Sequence, residues 1–491
     1  MQHHAGRPQR HIPAGGRPTG DQVTTPDIET FGAVKLADLA EPALRGRFRW
    51  CPELGWLAHN GAKWATEAEP EVLRAVVEVI RLYTADIVAQ RPLSRDDCRE
   101  LAGFSAGATQ NHAIKILRGA AGIRTHYTEF DALPAVALGQ PWTLPCANGV
   151  TIELHADGTK KVRATTPDDL NTRTACAYDP DATAPNIAAA FKLYQPDEDV
   201  RRYQLQMWCR GLSGMGAENF IANIGEGGGN GKGTMWGCVA AAGGEYAAEL
   251  PIEVILKSRG AAREVYRSEL AKLRGCRLLF CEEPDEGAQY DLGILKKITG
   301  GGTLSGRAMG KDGVEFPAKW LFEMAANKRP GWPADDAMTR RYVEIAWNFS
   351  IQGSVAGGGR EDFKEALKAE ASGFLNAILD QWTGAAKPVM PDVIDKQTRL
   401  GTAEASPLAD FAKAALIAAP AAMSAANDLF AGYLVWAKTA NVLSPMTQTK
   451  FGRELPRLGY PKVSDRKGTW YVGVTLNEKY ETGMFGALRA A

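Results

Sequence analysis

The densest group of residues that could do chemistry is a glycine-rich stretch at positions 220–234, which reads FIANIGEGGGNGKGT. An apolar run, predicted to be a strand, leads into the glycines, and a helix is predicted to follow Gly231-Lys232. Closely approaching backbone N–H groups, a helix N-terminus and a lysine together suit the binding of a triphosphate. The stretch therefore predicts an ATP-binding loop with Lys232 beside the β- and γ-phosphates. The predicted binding residues are Gly225, Glu226, Gly227, Gly228, Gly229, Asn230, Gly231, Lys232, Gly233 and Thr234.

The loop departs in two ways from the common phosphate-loop pattern G-x-x-x-x-G-K-[ST]. It is one residue longer, and Gly233 stands where the hydroxyl residue is expected, so that the hydroxyl comes one place later on Thr234. We predict that Thr234, or a water held in its place, contacts Mg²⁺. The alternative is a flexible glycine-rich surface turn with no ligand.

Two acidic residues end the next apolar run, RLLFCEEP, about 50 residues further on. ATP hydrolysis needs a carboxylate that orients the metal and a group that positions the attacking water. Glu282 and Glu283 are predicted to share these roles, with Glu282 contacting Mg²⁺ partly through water. The alternative is an exposed acidic strand end.

A third apolar run, WLFEMAAN, ends at Asn327, whose amide could bind the attacking water or the γ-phosphate; a turn asparagine is the alternative. Further on, Arg340 and Arg341 could stabilise charge on the transferred phosphoryl group. The alternative for the two arginines is a surface ion pair with Asp335 and Asp336.

In order and spacing, GEGGGNGKGT, LLFCEEP, FEMAAN and DDAMTRR resemble the superfamily 3 helicases, and most of all the primase–helicases of phages, plasmids and large DNA viruses. The resemblance is strong over 190–350 and weak over 48–190 and 406–480. It implies that Lys232 and Thr234 contact phosphates and Mg²⁺, that Glu282 and Glu283 form the Walker B pair, and that Asn327 is the sensor. It also implies that Arg340 or Arg341 acts on a neighbouring subunit of a ring, expected to be a hexamer.

Two basic segments are candidates for DNA contact. Turn residues between two strand-like runs predict a hairpin with Arg307 on its stem and Lys311 at its tip, which in the resembling family projects into the channel of the ring. The alternative is an ordinary solvated hairpin. The second segment, 446–470, is predicted to bind DNA through Lys450, Arg453, Arg457, Arg466 and Lys467, or to be the solvated face of a protein-interaction module.

The elements that would position these residues predict an α/β fold. Apolar runs that alternate with helices predict an α/β sheet, and the final order of three helices and a hairpin is that of a winged helix. With the glycine-rich loop, the resemblance implies a P-loop, AAA+-like ATPase core between an α+β N-terminal domain and this C-terminal winged helix. The predicted boundaries are a disordered tail at 1–40, the N-terminal domain at 41–190, the ATPase domain at 191–350, a helical lid and linker at 351–405 and the winged-helix-like domain at 406–491.

The composition excludes several other kinds of site and classes of protein. All seven histidines lie at or before His155, which excludes histidine-based triads and zinc sites from the rest of the chain. Lysine plus arginine equals aspartate plus glutamate at 57 each, so that any nucleic-acid contact must rest on local charge. No apolar stretch is long enough for a membrane span. Eight cysteines without a C-x-x-C pair predict reduced, buried thiols in a cytoplasmic protein. The resemblance to phage proteins implies that this cytoplasm is that of a bacterial host cell.

The sequence as a whole therefore predicts an ATP-dependent replicative DNA helicase of phage or prophage origin, with ATP and Mg²⁺ as cofactors and forked or single-stranded DNA as partner. The alternatives are an ATP switch that loads a partner at an origin without processive unwinding, and a DNA-binding adaptor with a degenerate loop. The D-x-D at 197–199 reads as a helix start. We therefore expect no primer synthesis, and a separate primase as a possible partner.

Overall fold

The structure is a computed structural model that describes residues 28–132, 134, 139–225, 229–257, 268–282, 290–306, 313–329, 336–349, 360–404, 407–440, 442, 445–466 and 468–480. The chain forms two compact units. Unit 1 comprises Met1–Trp50 and Glu67–Thr125, and unit 2 comprises Cys51–Thr66 and His126–Ala491.

Unit 1 is built mainly of helices, with strand β1 (Phe48–Cys51) at its edge. The helices are α1 (Ile28–Leu44), α2 (Glu69–Gln90), α3 (Arg95–Ser105) and α4 (Gly107–Leu117). Ser94 starts α3 with a capping box, because its hydroxyl accepts from the Asp97 amide while the Asp97 carboxylate accepts from the Ser94 amide.

Helix α1 corrects the predicted tail, which extended to residue 40. Its residues Ala33, Leu36, Ala37 and Ala40 are all buried, at the three- and four-residue spacing of one helical face. Most of this face consists of alanines. Because the segment contains few bulky apolar residues, its composition resembles that of a disordered tail. Residues 1–27 lie outside the described residues.

The first part of unit 2 is a set of short antiparallel strands. They are β2 (Gly55–His59), β3 (Trp64–Ala65), β4 (Trp142–Pro145), β5 (Val150–Leu154) and β6 (Lys160–Ala164). The turn between β2 and β3 is closed by the Asn60 side chain, which accepts hydrogen bonds from the Ala62 and Lys63 amides.

The centre of unit 2 is a five-stranded sheet in the order β13-β7-β12-β9-β8, with every neighbouring pair parallel. This sheet confirms the predicted α/β core. Its strands are β7 (Phe220–Ile224), β8 (Ala247–Glu249), β9 (Leu278–Glu282), β12 (Leu321–Ala326) and β13 (Tyr342–Ala346). All five residues of β7 are buried, as expected of a parallel strand that is covered on both faces.

Helices and one antiparallel pair of strands accompany this sheet. The helices are α5 (Pro185–Tyr194), α6 (Glu198–Leu212), α7 (Lys232–Gly243), α8 (Leu292–Thr299) and α9 (Asp336–Thr339). The pair is β10 (Thr303–Gly306) with β11 (Val314–Pro317), as the predicted hairpin requires. The predicted tip residue Lys311 and the predicted stem residue Arg307 both lie outside the described residues.

Helices α10 (Arg360–Lys368), α11 (Ala371–Leu379) and α12 (Asp392–Glu404) lead to the C-terminal segment. That segment contains α13 (Pro407–Ala415), β14 (Leu416–Ala425), α14 (Ala426–Thr439), α15 (Gln448–Glu454), β15 (Lys462–Asp465) and β16 (Gly468–Leu476). The three helices and the final hairpin match the predicted order, whereas β14 was not predicted. It pairs with β16 in spite of Pro420, because the register shifts between Ala418 and Met423.

No helix in the described part of the chain is both long and apolar enough to cross a membrane. All eight cysteines are free thiols. Most are buried, and burial raises the pKa of Cys51 to about 11 and that of Cys209 to about 12. Cys98 on α3 is exposed, unlike the buried thiols that were predicted.

Candidate functional site

Three predicted site segments meet at the carboxyl edge of the parallel sheet. Strand β12 lies between β7 and β9, with Ala325 opposite Asn223 on one side and Glu282 on the other. The residues that end or follow these strands are therefore neighbours, namely Gly225, Asn327 and Glu282. In open parallel sheets this edge is where ligands commonly bind.

Lys232 is the first residue of α7 and lies between two of these strand ends. Its Nζ donates a hydrogen bond to the Gly225 carbonyl oxygen at 2.8 Å and is 3.4 Å from Oδ1 of Asn327. Asn230 donates to the same Gly225 carbonyl at 3.0 Å. The structure thus brings together the lysine, the loop and the predicted sensor asparagine.

Two glycines of the loop leave no room for a side chain. Gly231 caps α7 with φ +83°, and a Cβ there would stand 2.3 Å from Cγ of Tyr194. A Cβ at Gly225 would stand 2.4 Å from the Trp347 carbonyl oxygen. Glycine is therefore required at these two positions by the packing of Tyr194 and Trp347 against the loop.

Gly233 differs from these two glycines, because a Cβ at this position would meet nothing within 4 Å. Thr234, the predicted metal contact, is half-buried in the first turn of α7, and Glu282 is exposed at the end of β9. Four other predicted site residues of this edge lie outside the described residues: Glu226, Gly227, Gly228 and Glu283.

Sequence reasoning missed a buried polar cluster within the sheet. Both oxygens of Glu323 on β12 accept hydrogen bonds, one from the Trp208 indole at 2.6 Å and one from the Asn223 amide at 3.0 Å. Asn223 accepts in turn from the Trp347 indole at 2.8 Å. Burial raises the pKa of Glu323 to about 7. An acid within FEMAA and an amide within FIANI were the available signals.

A second buried carboxylate, Glu344 on β13, has several partners. It accepts from the Arg329 guanidinium at 2.9 and 3.1 Å, from the Tyr342 hydroxyl at 2.7 Å and from the Gln397 amide at 2.8 Å. Because Gln397 belongs to α12, the cluster ties this helix to β13. It also holds Arg329, which lies two residues after the predicted sensor Asn327.

The two predicted arginines lie at the opposite, amino edge of the sheet. The Phe220 amide, at the start of β7, donates to the Arg341 carbonyl at 2.8 Å. The Arg341 guanidinium donates to the Ala337 carbonyl at 2.9 Å, whereas Arg340 is exposed. The structure therefore does not bring either arginine to Lys232 of the same chain.

Two of the basic side chains that were predicted to bind DNA near the C-terminus already form ion pairs within the chain. Arg453 and Arg457 both pair with Glu454, at 3.1 and 2.7 Å, while Arg466 is exposed and Lys450 half-buried. A groove of about 650 Å³ runs between α15 and the β15–β16 hairpin, with Arg453, Lys462 and Trp470 among its lining. Lys467 lies outside the described residues.

Two protein families match separate parts of the chain. The family described as "D5 N terminal like" matches residues 36–193, close to the predicted N-terminal domain. The "Family of unknown function (DUF5906)" matches residues 223–341, a range that runs from the predicted phosphate loop to the two arginines.

One curated relative comes from Acanthamoeba polyphaga mimivirus and is named "Putative helicase L207/L206". It is 27% identical over 165 residues, which is 34% of this chain and 17% of that protein. The chain thus spans less than a fifth of the length of the relative it matches.

Among solved structures, the A-form apo structure of the NrS-1 C-terminal region covers 89% of this chain and 98% of its own, at 11% identity and a TM-score of 0.44. The apo structure of residues 305–718 of that region covers 90% and 99%, at 10% identity and a TM-score of 0.41.

Proposed function

We propose that this chain is an ATP-dependent DNA helicase of the superfamily 3 type that serves phage or prophage replication. The observation that carries the proposal is the position of Lys232, at the N-terminus of α7 and in contact with both Gly225 and Asn327. A cation, a helix N-terminus and glycines that exclude side chains form a fitting seat for phosphates.

In this proposal the residues of the carboxyl edge share the work of phosphoryl transfer. Lys232 and the amides of 225–234 bind the phosphates, and Asn327 orients the attacking water or the γ-phosphate. Thr234 and Glu282 would hold Mg²⁺, partly through water, and Glu283 would polarise the nucleophile. The ion, when bound, neutralises charge that develops on the phosphate oxygens.

The second half of each site comes from a neighbouring copy of the chain. We choose Arg340 as the arginine that the neighbouring copy supplies, because its side chain is exposed, whereas the Arg341 guanidinium is held by the Ala337 carbonyl. Each subunit would offer one edge to the next, and such a head-to-tail arrangement forms a ring when its rotation closes, in this proposal a hexamer.

DNA contacts are proposed at two places. Arg307 and Lys311 of the hairpin would grip the phosphate backbone of one strand inside the ring. The C-terminal segment, with its helix–strand–helix–helix–strand–strand order, would act as a winged helix and contact duplex DNA. Its proposed contacts are Lys450, Arg453, Arg457, Arg466 and Lys467.

The comparisons support this proposal through the name of the mimivirus relative, which describes a helicase. Because the match covers only part of that protein, unwinding and replication remain our inference for this chain. The match to "D5 N terminal like" supports the expected arrangement of an N-terminal domain before the motor.

Strand displacement on a forked DNA, measured with ATP and Mg²⁺, tests the proposal. We expect the full chain to displace the strand and Lys232→Ala to lose both displacement and ATP hydrolysis. Hydrolysis without displacement would contradict the helicase and favour the loader. Failure to bind any nucleotide would favour the adaptor.

A further inference from the structure

Unit 1 carries a basic and aromatic surface on residues that the proposed function does not use. The segments 45–50 and 118–124 read RGRFRW and RGAAGIR, with five arginines and no acidic residue. Because the formal net charge of the whole chain is zero, this excess of positive charge is local. A local concentration of positive charge attracts polyanions.

The backbone holds these two segments side by side. Trp50 of β1 and Arg124 form a parallel bridge. The Trp50 amide donates to the Ile123 carbonyl at 2.8 Å, and the Trp50 carbonyl accepts from the Thr125 amide at 2.9 Å. The Arg49 guanidinium adds a side-chain link by donating to the Thr125 hydroxyl at 3.2 Å. The arginines of the two segments therefore stand on one hydrogen-bonded scaffold.

Aromatic rings hold three of the guanidiniums in place. Cζ of Arg118, the residue that caps the end of α4, lies 5.6 Å from the centre of the Trp50 ring, and Cζ of Arg124 lies 5.7 Å from it. Cζ of Arg47 lies 5.4 Å from the centre of the Phe48 ring. A cation at such a distance is attracted to the face of the ring. The side chains thus lose less freedom when they bind a ligand.

Two of these guanidiniums keep charge that the chain does not neutralise. Arg47 and Arg124 are exposed, and within the described part of the chain neither pairs with a carboxylate. Arg118 is partly exposed and pairs with Glu69 at 3.2 Å. An anion that reaches this surface therefore meets at least two unpaired arginines.

We propose that this surface, formed by Arg47, Trp50, Arg118 and Arg124, binds single-stranded DNA through its phosphates. The inference rests on the proposed function, because an enzyme that separates a duplex must hold a single strand. The planar fork of arginine matches a phosphate group, and a guanidinium also offers a plane on which an unpaired base can stack. Contacts of this kind do not depend on base sequence.

Fluorescence anisotropy of a labelled oligothymidylate, measured on the full chain without nucleotide, tests the proposal. We expect the pair Arg47→Ala and Arg124→Ala to weaken binding about tenfold, because two charge-assisted contacts are lost. The slope of log affinity against log salt should become shallower by about 1, since each phosphate contact on a single strand contributes roughly 0.7. Affinity for a blunt duplex should change much less.

The matched control is the pair Arg74→Ala and Arg81→Ala on α2. It removes the same charge from unit 1, at side chains that are both 74% exposed. This control should bind the oligothymidylate as the wild type does, and an equal loss in both pairs would show that only net charge matters and would contradict the site.

Three further outcomes would overturn the inference. Unchanged oligothymidylate binding in the Arg47 and Arg124 variant would place the single strand elsewhere and leave the proposed helicase standing. Binding of the wild type to vesicles that contain phosphatidylserine, lost in this variant while oligothymidylate binding persists, would assign the surface to a membrane. If the wild type binds no oligonucleotide at all, the proposed function fails together with the site.

Discussion

The two edges of the parallel sheet carry different chemistry. At the carboxyl edge, Lys232, Asn327 and the end of β9 lie side by side around the glycine loop. At the amino edge, Arg340 and Arg341 precede β13 and flank the start of β7. Strand β7 has five residues, so that the two edges are separated by roughly 17 Å.

Because the two edges are this far apart, one copy of the chain cannot supply both halves of the proposed hydrolytic site. A guanidinium stabilises a transferred phosphoryl group only when it touches it. The arginines must therefore serve a second copy, or they serve no catalytic purpose.

The largest effect is expected for Arg340→Ala, because an arginine supplied to the transferred phosphoryl group is worth about 10³-fold or more in turnover. ATP hydrolysis should fall by about that factor. Arg341→Ala should lose less, since its guanidinium binds the Ala337 carbonyl. Equal mixtures of Arg340→Ala and Lys232→Ala chains should recover part of the activity, as mixed rings contain some intact sites. No recovery would contradict a site shared between copies.

The second-largest effect on ATP turnover is expected when the positive charge of Lys232 is removed from the carboxyl edge. Lys232→Ala is expected to lower ATP turnover by about 10²- to 10³-fold, because a preorganised charge beside the phosphates is lost. Lys192→Ala, an exposed lysine on α5, is the control and should hydrolyse ATP normally. Similar turnover in both variants would show that the loop is not the phosphate site.

Glu323, which lies between the two edges, predicts a pH dependence of stability. Its pKa in the folded chain is about 7, above the usual 4.5, so that the folded state keeps a proton that the unfolded state loses between these values. Stability should therefore fall as pH rises through this window, by on the order of 3 kcal/mol. Glu323→Gln cannot titrate, and its melting temperature relative to wild type should rise between pH 5 and pH 8. Glu315→Gln, an exposed position on β11, should show no such trend.

A smaller effect is expected for Thr234→Ala, of about tenfold in turnover, with a higher Mg²⁺ requirement because one oxygen ligand is removed. Gly233 has open space around it, so that Gly233→Ser is sterically allowed. Adding Gly233→Ser to Thr234→Ala should leave the defect in place if the metal contact belongs to position 234. Full rescue by the serine would show that a hydroxyl at 233 can replace that of Thr234, and that the contact does not require position 234.

The sequence indicated which strand ends meet at the carboxyl edge, for a physical reason. Short apolar runs that end in glycines, acids or an amide mark buried strands and the side chains at their ends, and parallel strands align these ends. The amino edge was harder, because Arg340 and Arg341 carry no pattern that reveals which side of the sheet they occupy. Glu323 was missed because its partners, Trp208 and Asn223, come from distant parts of the chain. Strand β14 was missed because alanines and Pro420 give no strand signal.

The cysteines offer a practical advantage for following this protein. Burial raises the pKa of several thiols and keeps reagents away from them, while Cys98 is exposed on α3. A maleimide dye should therefore attach first at Cys98, and brief labelling gives a fluorescent reporter on unit 1 without any engineered residue.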